Sequence, residues 1–386
     1  MPITSRGTSS GEEVMTTRIL SALALVLLLP FAAAVSPQAR AQSYPAKAVR
    51  LVVPLPAGGA TDVIARAVSQ RLSEMWGQQI IVENKGGANT QIDAEAVAKS
   101  APDGYTLLAT SEATLAVNPF LYRKLAYEAK DFVPVSGLGT ITQALVVHPS
   151  VSANTVAEFI ALAKSKPGEL NYGTLGIGSS SHLNTISFET MAGVSLGAPV
   201  HYRGGAPALT DVIGGHTQVL FISVTLMNQP WKAGQLKALG VGGGKRVPQF
   251  PELPTIAESG LPGYQAVSWF GLFAPVGTPA SIVRNMNADV QRILSDPTFQ
   301  EKFLTPNFFE PIVGSADAFA SYVKAEQARW SKILADNKLS AEWGINGLDD
   351  CCVNSHSGLI PACFTTVPQR ADSLRMKASK SSGMPP

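Results

Sequence analysis

From Val49 onward, apolar runs of strand length alternate with amphipathic stretches of helix length, the pattern of a mostly parallel sheet with helices on its faces. The class is α/β. Val49-Arg50-Leu51-Val52-Val53 reads as a strand ended by Pro54. Beyond Ala57-Gly58-Gly59, apolar residues return at Val63, Ile64, Ala67, Val68, Leu72, Met75 and Trp76, which is helical spacing. Strands over 80–82 and 105–108 follow, with a second helix over 94–100 between them that stops before Pro102-Asp103-Gly104.

A second series starts with a strand at 145–147. Thr155 and Glu158 have the spacing of a capping box, and Pro167-Gly168 ends the helix they open. A strand at 171–173 leads into the loop Gly176-Ile177-Gly178-Ser179-Ser180-Ser181 and a helix over 182–191; strands at 219–222 and 236–241 complete the series. A strongly apolar strand at 269–275 then precedes helices capped at Thr278 and Ser315. In the last helix Phe319, Tyr322, Val323, Trp330, Ile333 and Leu334 form an apolar stripe, expected to pack into a core.

The chain has 386 residues, room for two ordinary domains. Lys plus Arg number 30 against 28 Asp plus Glu, a formal net charge of +2 without a long run of one sign, which argues against a nucleic-acid partner held through phosphates. Hydrophobic residues make up 45% and charged ones 15%, so the chain can bury a core. Near the start, Arg18, an apolar run over 19–29, Pro30 and Ala39-Arg40-Ala41 read as a secretory signal over 1–41, with Met15 as a second candidate start. The apolar stretch 19–35 is short for a membrane span, although a retained anchor is the alternative. The exported body is expected in the periplasm. Its cysteines, Cys351, Cys352 and Cys363, all lie in a polar tail over 349–386 expected to be disordered; with His356 they match no familiar zinc spacing, so no metal is expected.

Three small-residue loops stand between a strand and a helix, where first-turn N–H groups lack helical partners and can receive an anion. They are Pro54-Leu55-Pro56-Ala57-Gly58-Gly59-Ala60-Thr61-Asp62, Gly176-Ile177-Gly178-Ser179-Ser180-Ser181-His182, and Tyr202-Arg203-Gly204-Gly205 before the helix opened by Pro207. Each has an ordinary structural reading too, because Gly and Pro end strands and Ser or Thr caps helices in any α/β protein. Asp62 suits a first helical turn, where negative charge favours the dipole. His182 reads as a base beside serines, as a capping group, or as a solvent-facing side chain. Gly176-x-Gly178-x-x-Ser181 is a dinucleotide fingerprint lacking its third glycine, a weak signal. The body has neither an H-E-x-x-H helix nor a Walker loop, which points to binding rather than catalysis.

Further segments lie in a familiar order. Val52-Val53-Pro54-Leu55-Pro56-Ala57-Gly58-Gly59-Ala60-Thr61-Asp62, Val82-Glu83-Asn84-Lys85-Gly86-Gly87-Ala88, Ala101-Pro102-Asp103-Gly104-Tyr105 and Val117-Asn118-Pro119-Phe120 come first. Gly178-Ser179-Ser180-Ser181-His182, Tyr202-Arg203-Gly204 and Ser268-Trp269-Phe270-Gly271 follow. Over 44–336 the chain resembles the tripartite tricarboxylate transporter receptors, also called Bug-type periplasmic binding proteins. The resemblance implies a two-lobed periplasmic-binding-protein fold, each lobe a mostly parallel sheet flanked by helices and joined by a hinge. Lobe one would comprise 42–140 and 268–348, and lobe two 141–267. It further implies a small organic acid enclosed between the lobes, passed to membrane subunits of the transporter, with no cofactor. Carried over by position, Pro56, Ala57, Gly58, Gly59 and Thr61 would face Ser179, Ser180 and Ser181, with Ser111, Tyr202 and Ile222 lining the remainder.

The chain departs from the family's pattern in several places. Ile222 stands where many relatives have an Asp able to meet an ammonium group, which disfavours an amino-acid ligand. Leu115 replaces a frequent His, Glu112 follows Ser111 in the same loop, and Asp93 stands where Gly is frequent. Arg203 replaces a common Lys, suiting either a second carboxylate or an exposed rim. Two other readings stay open: a secreted serine hydrolase using a serine of 179–181 with His182, and a receptor that feeds a sensor kinase.

Overall fold

The computed structural model describes residues 44–84 and 90–340. The export signal over 1–41, the tail with its cysteines and His356, and Lys85-Gly86-Gly87-Ala88 lie outside the described residues. The chain divides into two units, Met1–Ala46 and Lys47–Pro386, and the elements that follow all belong to the second.

Strand β1 (Val49–Val53) runs into helix α1 (Ala60–Trp76), which Gly77 ends in the left-handed conformation that glycine adopts without strain. Strand β2 (Ile80–Asn84), helix α2 (Gln91–Ala98) and strand β3 (Thr106–Ser111) follow. β2 and β3 both pair with β1 in parallel, a pairing that needs the helical crossovers between them. A π-turn over Ala113–Val117 continues into the short helix α3 (Asn118–Leu121). Strand β4 (Phe132–Val147) then extends through 16 residues, far beyond the segment expected at 145–147. Pro134, Gly137 and Gly139 break the alternation that would have disclosed its first part, and its register shifts beside them.

Helix α4 (Val156–Ser165) starts as its capping pair predicts, with Thr155 Oγ1 accepting from Glu158 N at 3.1 Å; the Glu158 carboxylate reaches Asn154 N at 2.7 Å. Next come β5 (Tyr172–Thr174), α5 (Ser180–Ala192), β6 (Pro199–His201), α6 (Gly205–Ile213), β7 (Val219–Ser223), α7 (Val224–Lys232) and β8 (Lys237–Val241). Strand β9 (Val267–Pro275), α8 (Ala280–Leu294) and α9 (Ala316–Asp336) follow, with short helical turns over 297–304 between the two helices. Ser315 caps α9 through a 3.1 Å bond from Ala318 N. Thr278 does not cap α8. Its hydroxyl donates to Pro275 O at 2.8 Å and Pro279 takes the cap position.

Strand order is β2-β1-β3-β9-β4-β7-β5-β6, with β8 also on β4. The outer pairings are parallel, whereas β9 is antiparallel to β3 and β4, and β4 to β7 and β8, so the sheet is mixed. β4 belongs to two half-sheets: it pairs with β9 from Phe132 to Thr142, then with β7 from Gln143 to Val147. Each half-sheet has its own core. On one side Phe319, Val323, Trp330 and Leu334 of α9 pack with Val52, Leu108, Trp269 and Phe273, and burial of a side chain like Phe319 contributes about 1.5–3 kcal/mol. On the other, Leu145, Phe159, Phe188, Phe221 and Tyr264 cluster. A methyl group on Gly271 would lie 2.3 Å from the Phe319 ring, so that glycine lets α9 settle onto the sheet.

Candidate ligand-binding site

β3 and β4 are both antiparallel to β9 and hence parallel to each other, whereas β7 runs antiparallel to β4. Ser111, at the end of β3, is level with Phe270 and through it with Gly139; Ser223, at the end of β7, is level with Gln143. The carboxyl ends of the strands in the two half-sheets therefore point at one another along β4. Four residue steps separate them, roughly 13 Å at about 3.3 Å per residue. The loops after β1, β3, β5, β6 and β7 all leave from these opposed edges, where open α/β sheets hold ligands.

In the loop after β1, residues 56–59 are exposed, whereas Thr61 and Asp62 are buried at the start of α1. Gly58 has a φ of 79°, the left-handed region, and its N–H donates to Asp62 Oδ2 at 2.8 Å. Asp62 thus folds the loop back over the helix end. Burial raises its pKa, but Arg66 at 2.8 Å, the Gly58 N–H and Asn84 outweigh that and leave it below the usual range. Asp62 is a loop clamp held ionised, and the N–H groups of Ala60 and Thr61 have no partner among the described residues.

The loop after β5 is clamped in the same manner by a different group. His182 is 5% exposed, and its Nδ1 accepts from Gly178 N at 3.1 Å while its ring meets His201 edge-on at 5.0 Å. Burial, with His201 beside it, pushes its pKa down to about 3, so the ring is neutral. The solvent-facing reading of His182 is thereby corrected. Ser179 caps α5, accepting from His182 N at 3.3 Å and donating to Gly176 O at 2.7 Å. Among the described residues the N–H groups of Ser180 and Ser181 have no partner, and neither has the Ser181 hydroxyl, which is 0% exposed.

Ser180 is tied to residues that sequence reasoning missed. Gln143, 3% exposed, donates from Nε2 to Ser180 Oγ and to Ser268 Oγ, each at 2.8 Å, and its Oε1 accepts from Asn184 at 3.2 Å. The hydroxyl oxygens of Ser180 and Ser268 lie 3.2 Å apart. Glu112, next to Ser111, is also buried; its Oε2 accepts from Trp269 N at 3.2 Å. Burial raises its pKa to about 7. The available signal was a Gln at the start of the apolar run Ala144–Val147 of β4 and a Ser before the apolar run of β9; a polar residue at such a place has to find a buried partner.

Other expected residues stand apart from this knot. The Tyr202 hydroxyl donates to Asp211, which fixes the turn into α6. Ile222 is 1% exposed and lies below that turn, toward Gly205 and Leu226. Arg203 is exposed and has no ion pair among the described residues. Gly193-Val194-Ser195-Leu196-Gly197 has the spelling of a nucleophile elbow, but it follows the end of α5 and leads toward β6. That is the reverse of the strand-to-helix turn an elbow requires. Among the described residues no Lys or Arg is buried, no group of three His, Cys, Asp or Glu is gathered as for a metal, and no helix is long and apolar enough to cross a membrane.

Comparison with known proteins gives these arrangements a context. The family described as tripartite tricarboxylate transporter family receptor matches residues 64–339. Protein BugT of Bordetella pertussis is 32% identical over 322 residues, covering 83% of this chain and 97% of its own. Among solved structures, Rpa4515 of R. palustris with adipate is 38% identical with a TM-score of 0.70, covering 76% of this chain and 97% of its own. MatC of Rhodopseudomonas palustris with bound malate is 30% identical with a TM-score of 0.67, covering 75% and 100%.

Proposed function

The chain belongs to the tripartite tricarboxylate transporter receptor family, and from that premise we propose that it is a periplasmic receptor that encloses a small organic carboxylate and delivers it to the membrane subunits of such a transporter. The observation that carries this reading is the opposition of two donor-rich strand ends across Gly139–Gln143 of β4, without a buried cation among the described residues. Residues 42–140 with 268–348 form one lobe and 141–267 the other, hinged where β4 and β9 pass between the half-sheets. Pro56, Ala57, Gly58, Gly59, Thr61 and Ser111 meet the acid from one side, and Ser179, Ser180, Ser181 and Tyr202 from the other, with Ile222 supplying apolar support beneath them.

The physics of capture follows from those groups. Main-chain N–H groups at two helix starts and serine hydroxyls neutralise a carboxylate through charge-assisted hydrogen bonds, without the desolvation that a buried Lys or Arg would add. A ligand touching both lobes favours the closed arrangement by its differential affinity alone. Adipate and malate, held by the two relatives, are both dicarboxylates, which favours a ligand with two acid groups. Arg203 at the rim suits the second one.

A hydrolase is the weaker reading. Its base would be His182, yet Nδ1 is occupied by Gly178 N–H, and among the described residues no bond joins the ring to a hydroxyl of Ser179, Ser180 or Ser181. The test is isothermal titration of the exported protein against a panel of mono- and dicarboxylates, with small-angle scattering for compaction. One acid should bind at a single site and shrink the particle, and a fluorophosphonate probe should leave every serine unlabelled. Labelling at 179–181, or absence of any acid that binds, refutes the proposal.

A further inference from the structure

The polar knot at the crossing of β4 assigns hydrogen-bond directions, and those directions carry a consequence for the ligand. A serine hydroxyl has one proton to give, and an ionised carboxylate can only accept. Ser268 Oγ donates to Ser180 Oγ at 3.2 Å, so its proton is spent there. Its 2.8 Å bond to Gln143 must then be one it accepts, which turns the amide nitrogen of Gln143 toward the serines. The Asn184 amide, 3.2 Å from Gln143 Oε1, secures the other end. The second amide proton of Gln143 goes to Ser180 Oγ at 2.8 Å, so Ser180 accepts there as well and keeps its own proton. With bonds accepted from both Gln143 and Ser268, Ser180 has its acceptor positions filled, and its proton is left for an anion entering at the start of α5. The charge-assisted bond to an anion is about twice as strong as a neutral one.

We infer that Ser268 and Gln143 act as positioning residues that hold the Ser180 hydroxyl as an obligate donor, making this end of the cleft selective for an ionised acid over an ammonium group. The inference rests on the carboxylate reading of the site. Both positioning side chains are buried, at 8% and 3% exposure respectively, so they act through Ser180 rather than by touching the ligand.

The experiment is a double-mutant cycle by titration calorimetry, with adipate as the probe, in the exported protein. Ser180→Ala, Ser268→Ala and Gln143→Leu are each expected to weaken binding about three- to tenfold. Adding Ser268→Ala or Gln143→Leu to Ser180→Ala is expected to cause no further loss, because the relay has only the Ser180 proton to direct. Losses that multiply would overturn the relay while leaving the carboxylate site intact, as would an unchanged affinity in Ser268→Ala, a small substitution that keeps the fold should Gln143→Leu fail to. Wild-type protein that binds neither adipate nor any other acid of the panel would remove the site reading and this inference with it.

Discussion

Acidification should separate His182 from the buried carboxyls, because their shifts have opposite signs. His182 titrates near 3 in the folded chain and near 6.5 unfolded, so below about pH 6.5 the unfolded chain holds a proton that the folded chain refuses. Stability is lost as pH falls from 6.5 toward 3. At about 1.4 kcal/mol per unit, the loss is about 3 kcal/mol by pH 4.5 and about 5 kcal/mol by pH 3, a large share of the 5–15 kcal/mol typical of a domain. Glu112 and Glu189 behave in the opposite sense. Burial raises each from 4.5 to about 7, so the folded chain holds the extra proton, and each contributes about 3 kcal/mol below pH 4.5 that vanishes as pH rises through 7. Between pH 7.5 and 4.5 the three partly cancel in the wild type, and single variants are needed to see them. His182→Asn places an amide oxygen where Nδ1 accepts from Gly178, keeping the clamp without the titration. Urea unfolding followed by tryptophan fluorescence at pH 6.5 and 4.5 should show the variant gaining about 3 kcal/mol on the wild type over that interval. An equal difference at both pH values would show that His182 is not held neutral by burial and would refute the argument.

Two further outcomes follow from single positions. Arg203→Ala should weaken dicarboxylates about tenfold and leave monocarboxylates of similar length within twofold, compared by titration calorimetry; an equal loss for both classes would return Arg203 to an exposed rim role. Gly271→Ala puts a methyl 2.3 Å from the Phe319 ring, so overpacking should lower unfolding free energy by about 1–3 kcal/mol in urea titrations, and an unchanged midpoint would mean that α9 shifts without cost.

Which features could be read from the chain alone depended on whether local chemistry decided them. The β1–α1 unit, the Thr155 and Ser315 caps and the apolar stripe of α9 follow from propensity and periodicity within a dozen residues, and the structure places them there. The first eleven residues of β4 obey no such rule. Their composition answers to long-range contacts, with Gly137 leaving room for Ile312 and Gly139 for the end of Ile64 and the Glu310 carbonyl. The same limit governs the candidate site. Loops rich in Gly and Ser announce themselves by residue type, whereas Gln143, Ser268 and Glu112 come together only through the register that sets Thr142 beside Val267 and Gln143 beside Ser223.

That register also explains why the polar knot belongs where it is. The strand that joins the half-sheets passes through the interior at the point where both sets of donor loops converge, so polar side chains there must be satisfied internally. Gln143 meets that demand with three hydrogen bonds: to Ser180 on α5, to Ser268 on β9 and to Asn184, one turn further along α5. Ile141 and Ala144 on β4 are buried and apolar while Thr140 and Thr142 are half-buried, so Gln143 is the fully buried polar side chain in this stretch of the strand. Replacing it with a hydrocarbon would leave two hydroxyls and one amide to find new partners, at about 1–3 kcal/mol for each that stays unpaired. A crossing built this way couples the two half-sheets through the hydrogen bonds of one buried amide.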